Sequence, residues 1–182
     1  MTGLQPTPVL TTARLILRAP VAADWPHWLA FAQSDRAAFI LDGNTDPSFA
    51  WRVLGHAVGH WVLRGYGMFV IALRGEDRPL GMAGPWFPEG WPEREIGWTI
   101  WTAEAEGKGY ALEATTAARD FAFGTLGWDT AVSYVNADNA RSIALARRLG
   151  ATLDRDAAAP DFDESCLVFR HPAPARSERS LP

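Results

Sequence analysis

The chain has 182 residues, 48% hydrophobic and 21% charged, with nine tryptophans and a formal charge of −4. That length suits one domain, and the composition is too apolar for a disordered chain. A mildly acidic balance argues against a dedicated nucleic-acid binder, which needs a basic stripe. Glycines and charges interrupt every apolar run well before the roughly 18 to 20 residues of a membrane span. Met1 to Thr12 has neither a basic start nor an apolar core, so no secretory signal is expected. The single cysteine, Cys166, allows no intrachain disulfide and fits a reducing cytoplasm. It lies in an apolar, strand-like run and reads as a small buried hydrophobe rather than a nucleophile. Of the 17 basic residues, 16 are arginines; the one lysine, Lys108, sits between two glycines.

The Pro-, Ser- and Arg-containing ends, residues 1–8 and 172–182, read as loose tails around one domain spanning 9–171. Arg14 to Arg18 predicts a short strand ended by Pro20. Asp24 is placed to cap a helix through Ala32, with Pro26 in its first turn. Asp46-Pro47 opens a second helix on which Trp51, Leu54, Val58 and Trp61 recur at helical spacing, and Gly65 and Gly67 end it. Met68 to Leu73 and Pro79 to Pro85 predict a hairpin across the polar turn 74–78. Glu95 to Trp101 alternates as a strand. Tyr110 to about Thr125 is a helix whose alanines at 111, 114 and 118 give it a slim face for lying on a sheet. Ala131 to Asn136 is a strand, Ala140 to Leu149 a helix stopped by Gly150, and Ala151 to Leu153 with Cys166 to Arg170 completes the sheet. The order is that of an α/β domain with a mixed sheet of about seven strands, four helices and a central β-α-β unit.

Between the strand 95–101 and the helix from Tyr110 lies Gly107-Lys108-Gly109. Glycine lets backbone approach a ligand closely. The first N–H groups of the following helix are unpaired, and its dipole adds about 0.3 to 2 kcal/mol toward an anion. A Walker loop is excluded because Gly109, not Ser or Thr, follows the lysine. The dinucleotide fingerprint fails at Leu112, where a small residue belongs. Taken alone, the turn fits either a pyrophosphate site or a tight strand-to-helix connection.

Downstream, Tyr134-Val135-Asn136-Ala137-Asp138-Asn139-Ala140-Arg141-Ser142 runs into Leu149-Gly150-Ala151. With this element joined to the strand and glycine turn before it, the chain resembles the GNAT superfamily of acyl-CoA-dependent N-acyltransferases. Within it, the chain is most similar to the branch that acetylates ribosomal-protein N-termini. The resemblance runs from Leu15 through His171.

It implies a mostly antiparallel sheet splayed at one parallel pair, Glu95–Trp101 and Ala131–Asn136, with the pantetheine arm of acetyl-CoA entering the gap. Backbone groups of Trp98, Thr99, Ile100 and Trp101 would meet the arm, and amides of Gly107, Lys108, Gly109, Tyr110 and Ala111 would cradle the pyrophosphate. Asn136 and Asn139 would also contact the co-substrate. An amine, on a peptide N-terminus or a small molecule, would attack the thioester directly, without a metal. An α-amine of pKa about 8 is partly neutral at pH 7, whereas a lysine amine is neutral only about once in 2,500, so a base matters more for the second. Glu95 is the candidate base, its alternative role being a surface carboxylate paired with Arg94. Ser142 is the matched proton donor to the departing thiolate and also touches the co-substrate. A homodimer is compatible with the resemblance. Two positions depart from the family pattern. Glu106 is an acid where Gln or Arg opens the loop motif, and Ala146 stands where many relatives carry a tyrosine acid. A non-catalytic acyl-CoA-binding domain is therefore the alternative expectation.

Among other features, His56 and His60 fall four apart on one helix, but Ala57 stands where a zinc protease needs Glu, so packing or surface roles are expected. Trp86 to Trp91 reads as core or as the wall of an acceptor pocket. Asp154, Asp156, Asp161, Asp163 and Glu164 form either a solvated loop or an attractor for a cationic amine. Glu113 is expected to satisfy backbone donors near its helix start.

Overall fold

The computed structural model describes residues 7–160 and 166–172; Asp161, Asp163, Glu164 and the outer parts of both tails lie outside them. Among the described residues an eight-stranded sheet carries five α-helices. The strands are β1 (Leu10–Thr11), β2 (Leu15–Arg18), β3 (Phe69–Leu73), β4 (Pro79–Trp86), β5 (Glu95–Ile100), β6 (Val132–Asn136), β7 (Thr152–Leu153) and β8 (Cys166–Arg170). They lie in the order β1-β2-β3-β4-β5-β6-β8-β7, and β5–β6 is the parallel pair. The helices are α1 (Trp25–Ala32), α2 (Ala38–Leu41), α3 (Pro47–Arg64), α4 (Tyr110–Gly124) and α5 (Ala140–Arg148). None of these helices is long and apolar enough to cross a membrane.

The mixed, mostly antiparallel architecture agrees with the sequence expectation, with two additions. The two-residue β1 folds back on β2 through Thr12 N–H to Leu15 O (3.0 Å), and two residues are too few to show alternation. The four-residue α2 is one turn, ended by Asp42 in the left-handed region at φ 49°, and one turn has no apolar period to detect.

Two local expectations need correction. Asp24 makes no side-chain cap to α1. Its carboxylate, 1% exposed, instead accepts two bonds from the Arg18 guanidinium (both 2.8 Å) and one from Val21 N–H (2.8 Å). A paired, charge-assisted contact outcompetes a single cap bond. On α3, Asp46 does cap, accepting from Ser48 N–H (2.6 Å) and Phe49 N–H (3.3 Å). Its buried face, however, is Ala50, Leu54, Ala57 and Trp61, while Trp51 is 59% exposed and meets Trp25 edge-on at 5.0 Å. Gly65 ends the helix at φ 76°. At Gly67 a Cβ would lie 2.8 Å from the Trp61 indole, so only glycine fits there.

Two apolar layers sandwich the sheet. On one face α4 lays Ala114, Ala118 and Phe121 against Leu15, Leu17, Phe69, Ile71 and Ala83. On the other, α1 and α3 bury Trp28, Phe31 and Leu54 against Val70, Met82 and Trp101. The parallel β5–β6 contact holds one register pair, Glu95 with Val132, next to a Val132 N–H to Arg94 O bond of 2.9 Å. Beyond it the Ser133 hydroxyl donates to Ile96 O and accepts from His171 Nε2 (2.8 Å). Because the single hydroxyl proton goes to Ile96, the imidazole proton must sit on Nε2. Burial pushes the His171 pKa down to about 4, which keeps that ring neutral. A side chain thus stands where the ladder would continue, and the two strands part.

Candidate active site

Where β5 and β6 diverge, two cavities open and run into each other. One, of about 770 Å³, lies over the loop between β5 and α4 and the start of α5. The other, of about 390 Å³, lies between the sheet and helices α1 to α3. Trp98, Thr99, Asn139 and Ser142 line both, so they form one continuous groove.

The wall of the larger cavity follows from backbone geometry. Gly107 (φ 70°) and Gly109 (φ 79°) occupy the left-handed region, which costs an L-residue about 1–2 kcal/mol. Gly109 is also the residue preceding the first turn of α4, so the N–H groups of Tyr110, Ala111 and Leu112 have no acceptor within the helix. The turn is braced from outside. Arg14 donates from Nη1 to Lys108 O (2.9 Å), its guanidinium lies 4.7 Å from the centre of the Tyr110 ring, and Glu113 holds it from below (2.7 Å). Glu113 also accepts from the Thr12 hydroxyl (2.6 Å) and Arg14 N–H (2.9 Å). Its role is structural as expected, but its donors belong to the β1–β2 hairpin rather than to its own helix.

Glu106 does not face the cavity uncompensated. Arg36, from the turn before α2, donates to it at 2.8 Å and also to Ile100 O at 3.1 Å. Arg141 of α5 approaches the same oxygen at 3.0 Å. The Arg36 hydrogen bond, above all, holds the Glu106 carboxyl below its usual range. Arg36 Nε is buried without a hydrogen-bond partner. Arg36 carries no motif, and its partner lies far off in the chain, so sequence reading missed it.

In the smaller cavity Glu95 is half-buried. Burial pushes its pKa up to about 7, partly opposed by the Trp91 indole N–H, which donates to its Oε2 at 2.7 Å, and by the backbone N–H of Tyr134. Its neighbour Arg94 turns instead toward Asp129 (3.6 Å). Tyr134, on the same wall, accepts Glu93 N–H at 3.1 Å. At the junction, Asn139 Oδ1 caps α5 by accepting Ser142 N–H (3.1 Å), and Ser142 Oγ accepts the Trp98 indole N–H (3.3 Å).

The structure therefore brings Glu95, Trp98, Thr99, Asn136, Asn139 and Ser142 onto the smaller cavity. Trp98, Thr99, Ile100, Gly107, Gly109, Tyr110, Ala111, Asn139 and Ser142 line the larger. Two expected residues stand outside both walls. Lys108 is exposed, and its carbonyl serves the Arg14 brace. Trp101 is 3% exposed, donates its backbone N–H to Leu80 O at 2.7 Å, and packs its ring against Trp28 and Phe31. Cys166 is half-buried on the cavity wall, where its strand position faces Asn136. His60 is buried, donating from Nδ1 to Tyr66 O (2.7 Å) and accepting Phe87 N–H at Nε2 (3.0 Å), which is the packing role expected of it. Ala146 is wholly buried against Val135, Ala151 and Phe169. No group of three or more His, Cys, Asp or Glu side chains suited to a metal occurs among the described residues.

The family model for the acetyltransferase (GNAT) domain matches residues 14–152. An acetyltransferase from Agrobacterium tumefaciens str. C58 is 37% identical, with a TM-score of 0.83, over 94% of this chain and 98% of that one. A Bordetella pertussis protein assigned to the GNAT-family acetyltransferases is 26% identical, with a TM-score of 0.74, over 91% and 99% of the two chains. A Vibrio cholerae protein assigned as a ribosomal-protein-serine acetyltransferase is 22% identical, with a TM-score of 0.74, over 94% and 100%, a likeness of fold. The family match takes in strands β2 to β6, the glycine turn and the Asn139–Ser142 element together, and the chain belongs to the GNAT acetyltransferases.

Proposed function

We propose that this acetyltransferase moves the acetyl group of acetyl-CoA to a primary amine in one direct step. The observation that carries the reading is the continuity of the two cavities: a turn rich in backbone donors opens into the same groove as a carboxylate poised near neutrality. The residues suit the co-substrate. Free N–H groups of Tyr110, Ala111 and Leu112, with the close backbone at Gly107 and Gly109, suit a pyrophosphate. The parted strands leave β5 backbone at Trp98 and Thr99 open to the pantetheine amides. The thioester supplies an activated acyl carbon at the junction. Glu95 takes a proton from the incoming amine, directly or through one water. Ser142, its oxygen held by the Trp98 N–H, keeps its own proton to offer to the leaving sulfur.

Free-thiol release from acetyl-CoA in the presence of an amine panel tests the reading. The expected result is amine-dependent release with amide formed in equal amount. Acetyl-CoA binding with no release from any amine would instead favour a non-catalytic binding domain.

The Glu106 arrangement gives a further expectation. Arg36→Ala leaves one carboxylate less compensated beside the phosphates, and acetyl-CoA affinity by calorimetry should weaken by about three- to tenfold, more at low salt. Adding Glu106→Gln should restore most of the loss. If the double variant binds as weakly as the single one, Arg36 acts by itself and not through Glu106.

A further inference from the structure

The walls of the smaller cavity say what carries the amine. Trp86 stands directly opposite Glu95 in the β4–β5 register, and both line the cavity. Its ring is stacked on His60 (centroids 4.5 Å, planes at 20°) and met edge-on by His56 (4.9 Å). His60 is itself fixed at both ring nitrogens. Trp86 is thus a wall already ordered before a ligand arrives, so binding against it sacrifices little side-chain freedom. Trp91 lines the same cavity and donates its indole N–H to Glu95. Phe39, Met82 and Trp28 continue the apolar lining.

Charge points the same way. Among the described residues of this wall Glu95 is the one carboxylate, and neither arginine nor lysine occurs. The larger cavity, by contrast, carries Arg36, Arg141 and Arg148. A phosphate or carboxylate on the acceptor would find neither arginine nor lysine to pair with among the described residues of the smaller cavity. The hydroxyls of an amino sugar laid against the Trp86 side of the cavity would face Trp28, Phe39, Met82 and Trp86, whose apolar surfaces offer them no hydrogen bond. An arriving ammonium, however, is attracted by aromatic faces and by a carboxylate. A volume near 390 Å³ falls at the low end of small-molecule sites, roughly 300–1,000 Å³.

We propose that the acceptor is a primary amine borne on an uncharged, aromatic-sized apolar group, with its ring against Trp86 and its nitrogen at Glu95. This rests on the transfer reading above. The nitrogen lone pair forms a bond to the acyl carbon while the carbon–sulfur bond breaks. One proton leaves the nitrogen and one joins the sulfur, giving an amide and free CoA.

Thiol release should be compared for phenethylamine, a tetrapeptide beginning with Phe, one beginning with Ser, glucosamine and phosphoethanolamine. The expected result is a kcat/KM for one or both aromatic amines at least about 30-fold above the other three. Phenethylamine well ahead of the Phe peptide would mark a free amine, and the reverse a peptide N-terminus. Trp86→Ala should raise KM for the aromatic amine about tenfold or more and leave KM for acetyl-CoA unchanged, with Trp86→Phe close to wild type. Equal or better turnover of the Ser peptide, the amino sugar or the phosphate amine would overturn the assignment. So would a Trp86→Phe enzyme that lost aromatic and polar amines alike. Absence of thiol release from every amine would sink the transfer reading itself, whereas release from polar amines alone would sink only this inference.

Discussion

Glu95→Gln should lower kcat by about 10²-fold or more while acetyl-CoA affinity stays within about threefold of wild type. The substitution is nearly isosteric, and the amide oxygen can still accept the Trp91 indole N–H that now binds Oε2 at 2.7 Å. What is lost is the basic site. The wild-type kcat profile should show an acidic limb near pH 7, the value to which burial raises Glu95, and the variant should lack that limb. Stability supplies a second readout with a definite sign. The folded-state pKa, about 7, lies above the ordinary 4.5. Between these values the native protein holds a proton that the unfolded chain has released. The stability tied to Glu95 is therefore fully present below about pH 4.5 and is lost as pH rises through 7. A glutamine does not titrate, so the melting temperature of Glu95→Gln relative to wild type should rise from pH 5 to pH 8. A constant difference across that range would mean that Glu95 is not the desolvated group described here. Unchanged kcat would remove it from the chemistry.

How much of this was readable in the chain depended on the range of the physics. The glycine turn and the Asn139–Ser142 element were legible because each is a local rule. Left-handed dihedrals demand Gly107 and Gly109, and an asparagine three residues before Ser142 caps the helix that displays it. The succession of strands along the chain was legible because alternation and turn residues mark strands one at a time. What escaped depends on partners that only the folded chain brings together. Asp24 looked like a cap because capping looks forward into the helix, yet Arg18, six residues back at the end of β2, claims it. Trp101 looked like a continuation of Trp98 to Ile100, but its backbone N–H goes to Leu80 and its ring to Trp28, which carries it into the core. Arg36 sits in a turn without period or motif, and only the fold brings it to Glu106. Glu95 was marked as a candidate by its place at the start of a strand. The burial that raises its pKa comes from the assembled cavity, which no window of sequence contains.

Ser142→Ala should lower kcat by about 10- to 100-fold and change acetyl-CoA affinity by less than about threefold. Alanine is acceptable in the first turn of α5, and the Asn139 cap to the residue 142 N–H survives, so the helix should persist. The loss should exceed that of Tyr134→Phe, although both residues line the smaller cavity. Tyr134 lines that cavity alone, whereas Ser142 stands where the two cavities meet. If the phosphates lie at the glycine turn and the amine at Glu95, the sulfur must pass through that junction. Both oxygens already accept an N–H, Tyr134 from Glu93 and Ser142 from the Trp98 indole, so position sets them apart; the Trp98 bond stabilises negative charge building on or beside the Ser142 oxygen. Trp98→Phe should therefore reproduce part of the Ser142→Ala defect, and the two losses should be less than additive because they act through one contact. Single-turnover rates with saturating acetyl-CoA decide the matter. A Ser142→Ala enzyme as fast as wild type, or one slowed less than Tyr134→Phe, would move the proton-donor role away from α5 and onto Tyr134 or a water.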